Sequence, residues 1–140
     1  MYLTTQARAL NAYRQVGVAA QVDAASGPQL VSLLFEALRV QLLRAETALA
    51  RNQLSEKGEA IGKAVRIIEE GLRAGLDLRG ANKLPQMLDE LYGYCGKTLT
   101  EANFYNDAKK VSEVARLIET VVHAWKQAAS GSTAQQEFAQ

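Results

Sequence analysis

Apolar residues recur at helical spacing through most of the chain, and residues 60–78 carry two such stripes rather than one. Ile61, Val65, Ile68, Leu72 and Leu76 form the first; Ala60, Ala64, Ile67, Gly71, Ala74 and Leu78 form the second. At about 100° per residue, the polar positions Glu59, Lys63, Arg66, Glu69, Glu70, Arg73 and Asp77 keep roughly a third of the circumference. A surface helix needs one apolar stripe. This segment is therefore either central in its own bundle or holds one face for a foreign helix.

The same periodicity predicts four long helices. The first follows Ser26, where Ser26-Gly27-Pro28-Gln29 reads as a capping box with proline in the first turn, and it runs to about Arg51. The second covers about 55–78, with Ser55 as its N-cap. The third runs from about Asn82 to Phe104, with Pro85 in its first turn. The fourth starts at Asn106 or Asp107 and ends near Ala128. No segment alternates with period two. Short connections predict antiparallel neighbours. The expected fold is all-α, an antiparallel up-down-up-down four-helix bundle over 26–129. Residues 1–25 form an N-terminal arm with a short helix around 6–14, and 130–140 are expected to be a disordered tail.

The other stripes fit a bundle. Leu84, Leu88, Leu91, Cys95, Leu99 and Ala102 line the third helix, with Met87, Tyr94 and Tyr105 at the stripe's edge. Val111, Val114, Ile118, Val121 and Trp125 line the fourth. The first helix is apolar over more than half its circumference. One bundle has no evident use for all of this surface.

Composition narrows the function. A chain of 140 residues makes one domain with a core of its own. A net charge of +1 gives no broad footprint for nucleic acid. No run of about 20 apolar residues crosses a membrane, and the first residues lack an apolar signal core. The single cysteine, Cys95, makes no internal disulfide. These features point to the cytoplasm.

Catalytic chemistry is sparse. His123 is the only histidine, so no multi-histidine metal site exists. It falls on the polar face of the fourth helix. That position suits an ordinary exposed residue; the functional alternative is a histidine phosphotransfer domain. Cys95, on a core stripe without a histidine beside it, reads as a small buried hydrophobe. Gly71 and Gly75 lie mid-helix, each costing about 1 kcal/mol relative to alanine, which suggests a close helix approach. The residues point to a protein-binding helical bundle with no enzymatic activity and no cofactor.

Several motifs then carry a family resemblance spanning about residues 12–126. They are Ala25-Ser26-Gly27-Pro28-Gln29-Leu30-Val31-Ser32-Leu33-Leu34-Phe35, then Lys63-Ala64 with Ile67-Ile68 and Gly71-Leu72, and Leu91-Tyr92-Gly93-Tyr94. Ala102-Asn103 with Asn106-Asp107-Ala108, and Glu113-Val114 through Ala124-Trp125-Lys126, complete the series. In that order the chain resembles the FliS family, the cytoplasmic export chaperones of flagellin. It departs from the family pattern at Glu36-Ala37, at the displaced Pro28 and at Ala81-Asn82, changes that touch caps and turns more than the apolar stripes. The resemblance implies a stoichiometric chaperone. Such a protein binds the C-terminal segment of flagellin, prevents premature polymerisation and delivers its cargo to the export apparatus, whose components are further partners. It also implies an arm, around Tyr13, that folds over the empty groove. Ala64, Ile67, Gly71, Ala74 and Leu78 are the expected groove, with Tyr13 in the arm. A surplus apolar face also suits a homodimer, and a helical adaptor of another secretion complex is the blander alternative.

Overall fold

The computed structural model describes residues 27–139, with side chains through Ala128 and at Ser130. The expected arm, the Ser26 cap and Tyr13 lie outside the described residues. Four helices follow in order: α1 (Gly27–Ala50), α2 (Leu54–Arg66) continued by a π-helical segment (Ile67–Arg73), α3 (Leu84–Tyr105) and α4 (Ala108–Ala139). No strand occurs among the described residues. Each helix packs on its neighbours in sequence, and α4 closes the ring against α1.

Cross-helix bonds set the antiparallel registers, because one partner's number rises as the other falls. Arg39 meets Glu119, and Ser32 meets Trp125, between α1 and α4. Tyr94 meets Glu113, and Glu101 meets Lys110, between α3 and α4. Lys57 meets the Asn103 carbonyl, and Arg73 meets Asp89, between α2 and α3. The expected up-down-up-down bundle is the observed one.

Two asparagines end helices in the left-handed region, Asn52 at φ 55° and Asn106 at φ 54°. Asparagine tolerates that region better than most residues. After α1, the Gln53 N–H reaches the Ala48 carbonyl (2.8 Å) and the Asn52 N–H reaches Leu49 (3.2 Å). That is a Schellman closure, which satisfies the last carbonyls. After α3, the Asp107 N–H bonds Ala102 (3.0 Å). The Asp107 carboxylate then accepts from the Lys109 N–H (3.0 Å), capping α4.

Three helix ends differ from expectation. α2 begins at Leu54, with Gln53 rather than Ser55 at the cap and no side-chain bond. The Schellman turn restarts the helix directly, and the Lys57 N–H bonds the Gln53 carbonyl (3.0 Å). The second helix stops at Arg73 instead of Leu78, so Ala74 and Leu78 fall in the link to α3. α4 continues to Ala139, where a disordered tail was expected. Past Ala128 there is no proline to stop an established helix, which extends across Gly131 into the Ala-Gln-Gln-Glu stretch beyond it.

The core explains the double stripe. Ala60 with Ile61, Ile67 with Ile68 and Gly71 with Leu72 are all buried as adjacent pairs. An α-helix sets adjacent residues about 100° apart, so burying both members needs a neighbour on each side. α2 has them: α1 on one side and α3 on the other. A Cβ added at Gly71 would lie 3.1 Å from Leu34 Cδ2 of α1. The glycine marks a close approach of the two helices on this seam. At Gly71 the second stripe thus packs against the chain's own first helix. Ile67→Ala should lower the unfolding free energy by about 2–5 kcal/mol, the usual cost of such a cavity. A urea titration checks it; a loss below about 1 kcal/mol would contradict the burial of Ile67.

Candidate partner-binding surface

The residues expected to line a groove are not brought together on the surface. Ala64, Ile67 and Gly71 lie in the core, Ala74 is half-buried, and Leu78 is 46% exposed in the α2–α3 link. The physical reason is the two-sided packing of α2 and the π segment, which buries most of both stripes through Leu72. The surplus apolar surface is real but sits on other helices.

On α3 it forms a strip. Leu84 is exposed and Met87 is 64% exposed; half-buried Leu91 and exposed Tyr94 continue the row at three- and four-residue spacing. The core residues Tyr92, Cys95, Leu99 and Ala102 run beside it. The register fixed by Tyr94 with Glu113, and by Glu101 with Lys110, carries Leu117 and Val121 of α4 alongside Leu91 and Leu88. All four are partly buried and packed on the core. The result is an apolar strip along the α3–α4 seam, termed the trough. Its entrance is the α2–α3 link, where Gln86 Nε2 donates to the Leu78 carbonyl (3.0 Å) and so keeps Leu78 beside the first turn of α3. Asn82 Oδ1 accepts from the Leu84 N–H (3.0 Å) and fixes that turn.

The opposite edge of α3 is polar and close-packed. Arg73 of the π segment donates Nε to Asp89 (2.7 Å) and Nη1 to Glu69 (3.1 Å). Cβ atoms at Gly93 and Gly96 would stand 3.1 Å from the Arg73 guanidinium and 2.6 Å from Glu69 Oε1. The two glycines let these long side chains lie flat on α3. Asp89 is the main cause, through its hydrogen bond, of a raised Arg73 pKa. The Arg73 guanidinium of the clamp is thereby held in its charged form.

A second exposed apolar area lies on α1, where Val40 is 53% and Leu43 64% exposed. Phe104 and Tyr105 stand exposed at the end of α3, edge-to-face with centroids 4.9 Å apart. Sequence reasoning had Met87, Tyr94 and Tyr105 at the edge of the α3 stripe and α1 as too apolar for one bundle. It attached the surplus to α2 because only there do two stripes run in parallel.

The titratable groups offer no catalytic arrangement among the described residues. His123 is exposed on α4. Cys95 is fully buried, and burial pushes its thiol up to about 11; burial likewise pushes the Tyr92 phenol up to about 12. No cluster of acids, cysteines or histidines suited to a metal occurs among the described residues. No helix there is long and apolar enough to cross a membrane.

Such a bundle, with a finished core and apolar residues left exposed on α1 and α3, is a small all-helical protein of the binding rather than the catalytic kind in its visible surface. Comparison with known proteins gives the particular family. Residues 9–132 match the family model described as "Flagellar protein FliS". The chain is 40% identical over 121 residues to the flagellar secretion chaperone FliS of Salmonella typhimurium, covering 86% of this chain and 90% of that protein. It is equally similar to the Escherichia coli chaperone of that name, covering 89% of it. Identity is again 40%, over 118 residues, to the flagellar secretion chaperone FliSB of Pseudomonas aeruginosa, covering 93% of it. The chain belongs to the FliS family. Its role is that of a chaperone in flagellar export, and the family is one of chaperones rather than enzymes.

The buried, protonated Cys95 should resist a disulfide reagent at pH 8 in the folded protein, because the thiolate is the reactive form. Ellman's reagent should label it only at the rate of unfolding. Fast labelling in native buffer would contradict this placement.

Proposed function

We propose that this protein binds the C-terminal segment of flagellin in the cytoplasm, keeps it from polymerising and hands it to the export apparatus, without a cofactor. The observation that carries the reading is the α3–α4 trough of Leu84, Met87, Leu91 and Tyr94, left open in a member of a flagellar chaperone family. An amphipathic segment that folds on binding lays its apolar side chains into such a trough. At about 25 cal/mol per Å², several hundred Å² of apolar contact offsets the ordering cost of the bound segment.

Ala64, Ile67 and Gly71 support the trough from within, by holding α1, α2 and α3 in register. Ala74 and Leu78 stay candidates for direct contact, because the Gln86 bond holds the Leu78 backbone against the first turn of α3. Tyr13 and the arm remain part of the reading through the family resemblance, as the element that gives way to cargo.

Calorimetry with a peptide of the flagellin C-terminal segment tests the proposal. Met87→Asp, with unchanged circular dichroism, should weaken binding about tenfold or more, a loss of about 1.4 kcal/mol. Wild-type affinity in the folded variant would remove the trough from the binding surface. Ile67→Glu is the wrong test of it, since a carboxylate in the core destabilises the whole bundle.

A further inference from the structure

The α1–α4 seam carries a second open groove whose chemistry differs from that of the trough. Val40 and Leu43, one helical turn apart, stand over Leu42 and Ala115 in a 360 Å³ concavity. Glu36, Arg39, Glu46 and Glu119 surround it. The rim thus holds three carboxylates to one guanidinium. Arg39 is already engaged, donating Nη1 to Glu36 and Nε to Glu119 at 2.6 Å each. Glu46 enters no ion pair among the described residues. From Glu36 to Glu46 the rim follows α1 for about 15 Å, some three turns of helix. The exposed row Arg116, Thr120 and His123 of α4 separates this groove from the α3–α4 trough.

We propose that the α1–α4 groove docks a basic amphipathic helix of another protein, independently of the cargo trough. Two apolar side chains one turn apart on the incoming helix would fill the space over Val40 and Leu43. Lysine or arginine residues flanking them would meet Glu46 at one end and Glu36 with Glu119 at the other. Charge argues against a second copy of this chain on the same face. A two-fold contact pairs a patch with itself, and here it would set carboxylates against carboxylates.

The probe is a labelled 16-residue helical peptide with leucines at i and i+3 flanked by lysines. Its control has every lysine replaced by glutamate. Fluorescence anisotropy should give at least about tenfold tighter binding of the lysine peptide. Leu43→Asp should abolish that preference, Glu46→Lys should weaken it, and raising the salt should weaken it further. Met87→Asp should leave it unchanged. Equal binding of the two peptides, full binding to Leu43→Asp, or an equal loss with Met87→Asp would overturn the proposal. A photoactivatable benzophenone placed at position 43 identifies the occupant directly. Cross-linking to the lysine peptide supports the groove as drawn; cross-linking instead to residues 1–26 of the same chain, or to a second copy, overturns it. Retention of flagellin-peptide binding by Leu43→Asp separates this result from the fate of the trough.

Discussion

Everything in this bundle follows from α2 having to bury adjacent residues toward two different neighbours. Ile67 and Ile68 are both fully enclosed, as are Ala60 and Ile61. A regular helix cannot turn both members of a pair toward one partner, so α1 and α3 must flank it. The seam with α1 is tight at Gly71, where an added Cβ would stand 3.1 Å from the Leu34 side chain. On the other side the π segment supplies Glu69 and Arg73 to the glycine face of α3. A π segment widens the local helix and is found disproportionately at functional sites. Here it sits where the helix ends and the long link to α3 begins.

Once α2 takes the inside position, α1 and α3 are left with more apolar surface than their neighbours cover. That geometric remainder becomes the exposed surface of the protein. Val40 and Leu43 face outward because α1 is already committed to α2 and α4 on its other sides. Leu84 and Met87 face outward at the start of α3, where the chain arrives by a link rather than a helix. A chaperone of this kind is built by deciding which apolar residues to leave uncovered.

The helices, their order and the antiparallel arrangement were legible in the sequence, because periodicity and caps are local signals. Asn106-Asp107 announced the α3–α4 turn through residue type alone. The face assignment on α2 was not legible. Two parallel stripes look the same whether the second meets a foreign helix or the chain's own, and no local property of Gly71 distinguishes Leu34 from a cargo side chain. The α3 strip was half visible, as apolar residues at the edge of a core stripe. Which side of that edge was covered depended on how α4 leans on α3, a tertiary fact. Gly71 and Gly75 read as a close helix approach, and the early end of the second helix was not legible. The π-helical turn itself has no signature in residue types.

Trp125 is the only tryptophan of the chain. Its indole N–H donates to the Ser32 hydroxyl (3.1 Å), and its ring lies 6.3 Å from that of Phe35, tilted 59°. Both partners belong to the first turns of α1, and the tryptophan belongs to α4. The molecule therefore carries a single intrinsic optical reporter at the seam that closes the ring of helices. Its emission reads the docking of α4 on α1 separately from helix content, which circular dichroism reads. Comparing the two signals distinguishes a bundle that loosens along this seam from one that unfolds as a whole.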